Sequence, residues 1–78
     1  MSSFPSREKV TAIREMYPIG CRVELISMTD DPRPIPSGTQ GYVRIIDDIG
    51  TVHVSWDNGS TLGVALGKDK IRKLVVNE

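Results

Sequence analysis

Apolar and polar residues alternate most strictly over residues 51–64. Val52, Val54 and Trp56 share one face and His53 and Ser55 the other, which is the period-two pattern of a half-buried strand. Asp57-Asn58-Gly59-Ser60 interrupts the run, after which Leu62 and Val64 resume the apolar face. Asn-Gly between two such runs predicts a hairpin, because both residues tolerate positive φ and a primed turn follows the twist of the strands.

The other segments arrange themselves around this hairpin. Residues 1–5 carry no pattern and are expected to be disordered. Over residues 6–17 the period changes: Val10, Ile13 and either Met16 or Tyr17 recur at spacings of three and four, one stripe of a helix. Ser6 suits the N-cap and Glu8 the first turn, while Pro18 and Gly20 end the element. About three turns of helix do not hold alone in water, so the stripe must lie on something, either an open end of the β domain or a second subunit. Residues 18–76 read as that β domain. Cys21, Val23 and Leu25 alternate with Arg22 and Glu24. Residues 27–39 hold prolines at positions 32, 34 and 36, which forbid helix and favour an extended path. A strand follows over residues 41–46 with Val43 and Ile45 inward, then the turn Asp47-Asp48-Ile49-Gly50. Residues 65–70 form a tight turn, and 71–76 the last strand. The expected fold is mainly β: a small five-stranded SH3-like barrel with one N-terminal α-helix. An inward row of Val43, Ile45, Val52, Val54, Trp56 and Leu62 would close it.

Composition narrows what such a domain can be. With 78 residues, 38% of them hydrophobic and 5% aromatic, the core is small and aliphatic, and self-association would help it. Ten basic and ten acidic side chains cancel, so the chain as a whole lacks the basic footprint of a nucleic-acid or membrane-surface binder. Cys21 is the only cysteine, so no internal disulfide forms and a reducing compartment is the simplest setting. No apolar run reaches membrane-span length and the first residues lack signal-peptide character. The expected location is the cytoplasm.

Several blocks carry a family resemblance: Tyr17-Pro18-Ile19-Gly20-Cys21-Arg22-Val23-Glu24-Leu25-Ile26-Ser27-Met28, Asp30-Asp31-Pro32, Ile35-Pro36-Ser37-Gly38-Thr39-Gln40-Gly41, Asp47-Asp48-Ile49-Gly50 and Val54-Ser55-Trp56-Asp57-Asn58-Gly59. In this order they resemble the bacterial and phage family termed domain of unknown function 4314, over roughly residues 17–74. The resemblance implies a small β-barrel carried by phages and mobile elements, and no established activity, so it transfers no site residues.

Candidate chemistry is sparse. One cysteine and one histidine cannot supply four protein ligands to zinc. The paired loop acids at positions 30–31 and 47–48, with Asp57, match no calcium-loop spacing and suit turns for their own backbone bonding. His53 has Ser55 on its face but no third group to complete a proton relay, and a dyad with Cys21 would need the first and third strands to meet there. We expect neither catalysis nor a cofactor. Two binding surfaces stand out. One is the loop Asp30, Asp31, Pro32, Arg33, Pro34 and Ile35, either inserted into a protein partner or folded as a lid with Ile35 tucked in. This suits a module that inhibits a host factor. The other is a strand face of Tyr42, Arg44, His53, Lys70 and Arg72, either contacting the phosphates of a nucleic acid or nucleotide or simply solvated. Trp56 reads as core, with an indole edge that a strand end can expose. A homo-oligomer with its site between subunits is a further expectation.

Overall fold

The computed structural model describes residues 6–28 and 32–75. The expectations for residues 1–5, for Asp30 and Asp31 and for Val76 lie outside the described residues.

Helix α1 spans Arg7–Met16. Ser6 precedes it in extended conformation, and its hydroxyl accepts a hydrogen bond from the Lys9 amide at 3.2 Å. That satisfies one of the amides a helix start leaves unpaired. Tyr17 leaves helical geometry while its amide donates to the Ile13 carbonyl at 2.9 Å, and Pro18 cannot extend the helix. Val10 and Ile13 are buried, and Tyr17 packs against the same core. Met16 is 53% exposed. At 100° per residue, position 17 falls within about 20° of position 10 and position 16 about 120° away, so Tyr17 completes the stripe.

The strands are β1 (Arg22–Ser27), β2 (Gln40–Ile46), β3 (Val52–Trp56), β4 (Gly63–Val64) and β5 (Lys70–Lys73). They form one antiparallel sheet in the order β4-β3-β2-β1-β5. Three strands follow as a meander, β4 adds to β3, and the last strand returns to pair with the first, the order of a small SH3-like β domain. Residues 65–69 bridge β4 and β5, with the Lys68 and Asp69 amides donating to the Ala65 carbonyl. No ladder joins β4 to β5 among the described residues, so the sheet stays open at those edges.

The core comprises Val10 and Ile13 of α1, Ile35, and the inward residues of the strands, among them Val23, Leu25, Val43, Val52, Val54, Trp56, Val64 and Ile71. Trp56 is 3% exposed, and its indole N–H donates to the Leu62 carbonyl at 2.9 Å, so its polar edge is satisfied inside. Leu62 packs partly buried beside it.

Ile45 departs from the expected inward row. It is 54% exposed and Ile46 takes the core position. The register explains this: Val43 faces Val54 but Ile45 faces His53, leaving Arg44 as an extra residue in β2. Such a bulge shifts every later side chain to the opposite face. Ile26 lies at the surface by the ordinary alternation that buries Val23 and Leu25, and a second irregularity in β1 falls between Leu25 and Ser27.

Both tight hairpins use the same construction. The Gly59 amide donates to the Trp56 carbonyl, and the Trp56 amide to that of Ser60; likewise Gly50 to Asp47, and Asp47 to Thr51. The central pairs are thus Asp57-Asn58 and Asp48-Ile49, with Gly59 and Gly50 in the following position at φ 90° and 84°. This is a three-residue loop with a glycine bulge, in place of the two-residue primed turn that Asn-Gly suggested.

The proline loop is pinned at its end. Ile35 is 5% exposed, its amide lies 3.5 Å from the Met28 sulfur, and Gly38 donates to the Leu25 carbonyl.

Candidate docking cleft and sheet face

The segment leaving α1 lies along β2. The Gly20 amide donates to the Val43 carbonyl at 2.7 Å and the Val43 amide to Cys21 at 3.0 Å, while Cys21 closes a turn onto Pro18. Ile19 at the tip of that turn therefore has no core to enter and is 74% exposed. The β2 bulge independently turns Ile45 outward. The two residues line one cleft of about 460 Å³ together with Tyr17, Ile46 and Arg14.

Arg14 forms the polar wall. Its guanidinium donates to the Ile46 carbonyl through Nε at 3.3 Å and Nη2 at 3.2 Å, and to Asp48 at 3.2 Å. The pair with fully exposed Asp48 is worth little by itself. The carbonyl contact fixes the guanidinium in place. Beyond Arg14 lies a second depression of about 410 Å³, lined by Arg7, Val10 and Asp48.

The outer face of the sheet is a ladder of paired charges. Arg22 donates to both Asp57 oxygens at 2.9 and 2.6 Å and to Gln40 at 3.1 Å, and its guanidinium carbon lies 4.4 Å from the Tyr42 ring centre. The hydrogen bond from Arg22 holds the Asp57 carboxyl below the ordinary range, and the same bond raises the guanidinium further. Arg72 pairs with Glu24 at 3.2 Å. His53 Nε2 lies 2.9 Å from Asp47 Oδ2, while Asp47 Oδ1 accepts the Ile49 and Thr51 amides. Burial alone would raise the Asp47 carboxyl, but the His53 and backbone hydrogen bonds outweigh it and lower the value.

These facts distribute the candidate residues. In the proline loop, Pro32, Arg33 and Pro34 are exposed, whereas Ile35 belongs to the core and anchors the loop. On the strand face, Tyr42 meets Arg22, His53 is tied to Asp47, Arg44 stands exposed in the bulge, and Lys70 and Arg72 lie on β5. Strand β1, bearing Glu24, separates β5 from β2. The five do not converge on one cationic patch. Burial raises the Cys21 thiol above its ordinary value, away from a reactive thiolate. No cluster of three histidine, cysteine or acidic side chains suited to a metal occurs among the described residues.

The cleft is not visible in the sequence, because the alternation that would turn Ile45 inward is broken by the bulge in β2. Ile19 carried a usable signal, a large apolar residue between Pro18 and Gly20 with no periodic partner.

Fold and surface together define a small SH3-like β domain with a helix packed on it. No helix among the described residues is long and apolar enough to cross a membrane. The chain belongs to the family described as domain of unknown function (DUF4314), whose model matches residues 6–74. No curated protein and no solved structure matches it.

Proposed function

We propose that this chain is a non-catalytic protein-binding module that docks its partner in the cleft between the end of α1 and the bulge of β2. The observation that carries this reading is the pairing of Ile19 and Ile45. Both are large, apolar and more than half exposed, and they line one concave surface. Lone surface apolar residues are ordinary, whereas apolar residues gathered in a cleft mark recognition sites. The partner surface thus moves from the proline loop, whose apolar residue is spent on the core, to the cleft. The non-catalytic reading is supported by a thiol that burial holds toward its neutral form. Asp47 gives His53 the carboxylate partner that the sequence did not show, but no hydroxyl or thiol is paired with that ring among the described residues. The lone thiol favours a cytoplasmic setting. The resemblance noted above favours a gene carried by a phage or mobile element, acting on a host factor.

Selection of random peptides on the protein tests this. Enriched peptides should bind the wild type and lose affinity for Ile45→Glu, a substitution at an exposed position that leaves the core intact. Peptides that bind both proteins equally would overturn it.

Nucleic-acid or nucleotide binding through Tyr42, Arg44, His53, Lys70 and Arg72 is the second reading. Its support is the exposed Tyr42 ring with Arg22 over it. Glu24 and Asp57 beside those cations weaken it. Oligonucleotide binding that falls steeply with salt would favour it.

A further inference from the structure

Resting on that cleft, we infer that the segment it receives is an extended peptide of a partner protein with an apolar side chain and, three or four residues away, a carboxylate held by Arg7. The two depressions adjoin at Arg14 and have unlike linings. Tyr17, Ile19, Ile45 and Ile46 make one apolar. The other is lined by Arg7, Val10, Arg14 and Asp48, two guanidinium groups against one carboxylate; Asp48 and the Ile46 carbonyl engage Arg14, while Arg7 forms no ion pair among the described residues. An apolar pocket beside an uncompensated guanidinium selects an apolar and an acidic group together. The spacing follows from the helix. Arg7 and Arg14 are separated by seven residues on α1, about 10 Å at 1.5 Å per residue, and an extended chain covers that distance in about three residues.

A short segment suits this surface better than a second folded copy. Eight described residues line the two depressions, against roughly 20–30 residues per side in a standard protein interface.

The test is a chemical-shift titration of the ¹⁵N-labelled protein at low salt with acetyl-Ser-Leu-Gly-Ser-Asp-Ser-amide and its reversed sequence. Two further versions replace Asp by Lys or Leu by Ser. We expect shifts in α1 and residues 45–48, and binding of the Asp peptide about fivefold tighter than the Lys peptide, the upper range for one exposed ion pair. Arg7→Glu should invert that preference; it lies in the first helical turn, where an acid is favoured, so folding is kept. Equal binding of Asp and Lys peptides would overturn the inference while leaving the apolar cleft in use. Equal binding of Leu and Ser peptides would overturn the cleft itself. No binding by any peptide, or shifts of these residues on concentrating the protein alone, would overturn the peptide assignment.

Discussion

Gly41 is the position where one added methyl group should do the most damage. It lies in β2, opposite Val23 on one side and Trp56 on the other. A Cβ built there would sit 2.6 Å from the Ser55 carbonyl oxygen, 2.7 Å from a Val54 methyl and 2.9 Å from the Trp56 Cα, where ordinary contact begins at 3.4 Å. Two of the three neighbours are backbone, so β3 would have to move by several tenths of an ångström while keeping its ladder to β2. Overpacking of this kind costs about 1–3 kcal/mol. The stiffer unfolded chain of an alanine variant offsets only about 0.4–1 kcal/mol. A chain of this length has a total stability of about 4–12 kcal/mol, so a net loss of about 1–2 kcal/mol is large. It corresponds to a fall of roughly 4–16 °C in Tm. Urea and thermal unfolding followed by circular dichroism should show this for Gly41→Ala. Gly63→Ala is the control: its one contact under 3.0 Å is with a side-chain atom, the Thr51 methyl at 2.9 Å, and no backbone atom is crowded. A Gly41→Ala protein as stable as the wild type, or no worse than Gly63→Ala, would show that β2 and β3 do not approach as described.

Two further outcomes follow from the same structure. Trp56→Phe removes the indole donor to the Leu62 carbonyl and leaves unfilled space in the core, and should cost about 1–3 kcal/mol in urea unfolding; an unchanged midpoint would contradict the buried hydrogen bond. Asp47 and Asp57 both have lowered carboxyl pKa values, so their contribution is present above the ordinary carboxylate value and is lost as pH falls through the lowered ones. Asp57→Asn should therefore be less stable than wild type at pH 7, with the gap closing toward pH 2; a gap that ignores pH would remove the Arg22 pairing as its cause.

The sequence made some of this legible and hid the rest for identifiable reasons. Helical period and a serine cap suffice to place α1, because capping and periodicity are local. Strand phase before the bulge is equally local: Val23, Leu25, Val52, Val54 and Trp56 all fall inward as their alternation requires. A bulge has no local signature in Tyr42-Val43-Arg44-Ile45-Ile46, since either isoleucine could fill the core. Only the pairing with β3 chooses Ile46. The glycine turns were visible, but whether Asn58 or Gly59 takes the bulge position depends on hydrogen bonds across the hairpin. The strand face looked cationic because sequence order conceals that Glu24 falls opposite Arg72 and Asp57 reaches Arg22. The cleft required both the bulge and the turn at Ile19, two features far apart in the chain.

Amide hydrogen exchange, with and without a peptide selected on this protein, examines the docking cleft most directly. Slowed exchange should be confined to the last turn of α1, the turn through Ile19 and residues 44–48, and should vanish for Ile45→Glu. Slowing centred instead on Tyr42, Arg22 and β5, or on the loop through Pro34, would place recognition elsewhere and contradict the account.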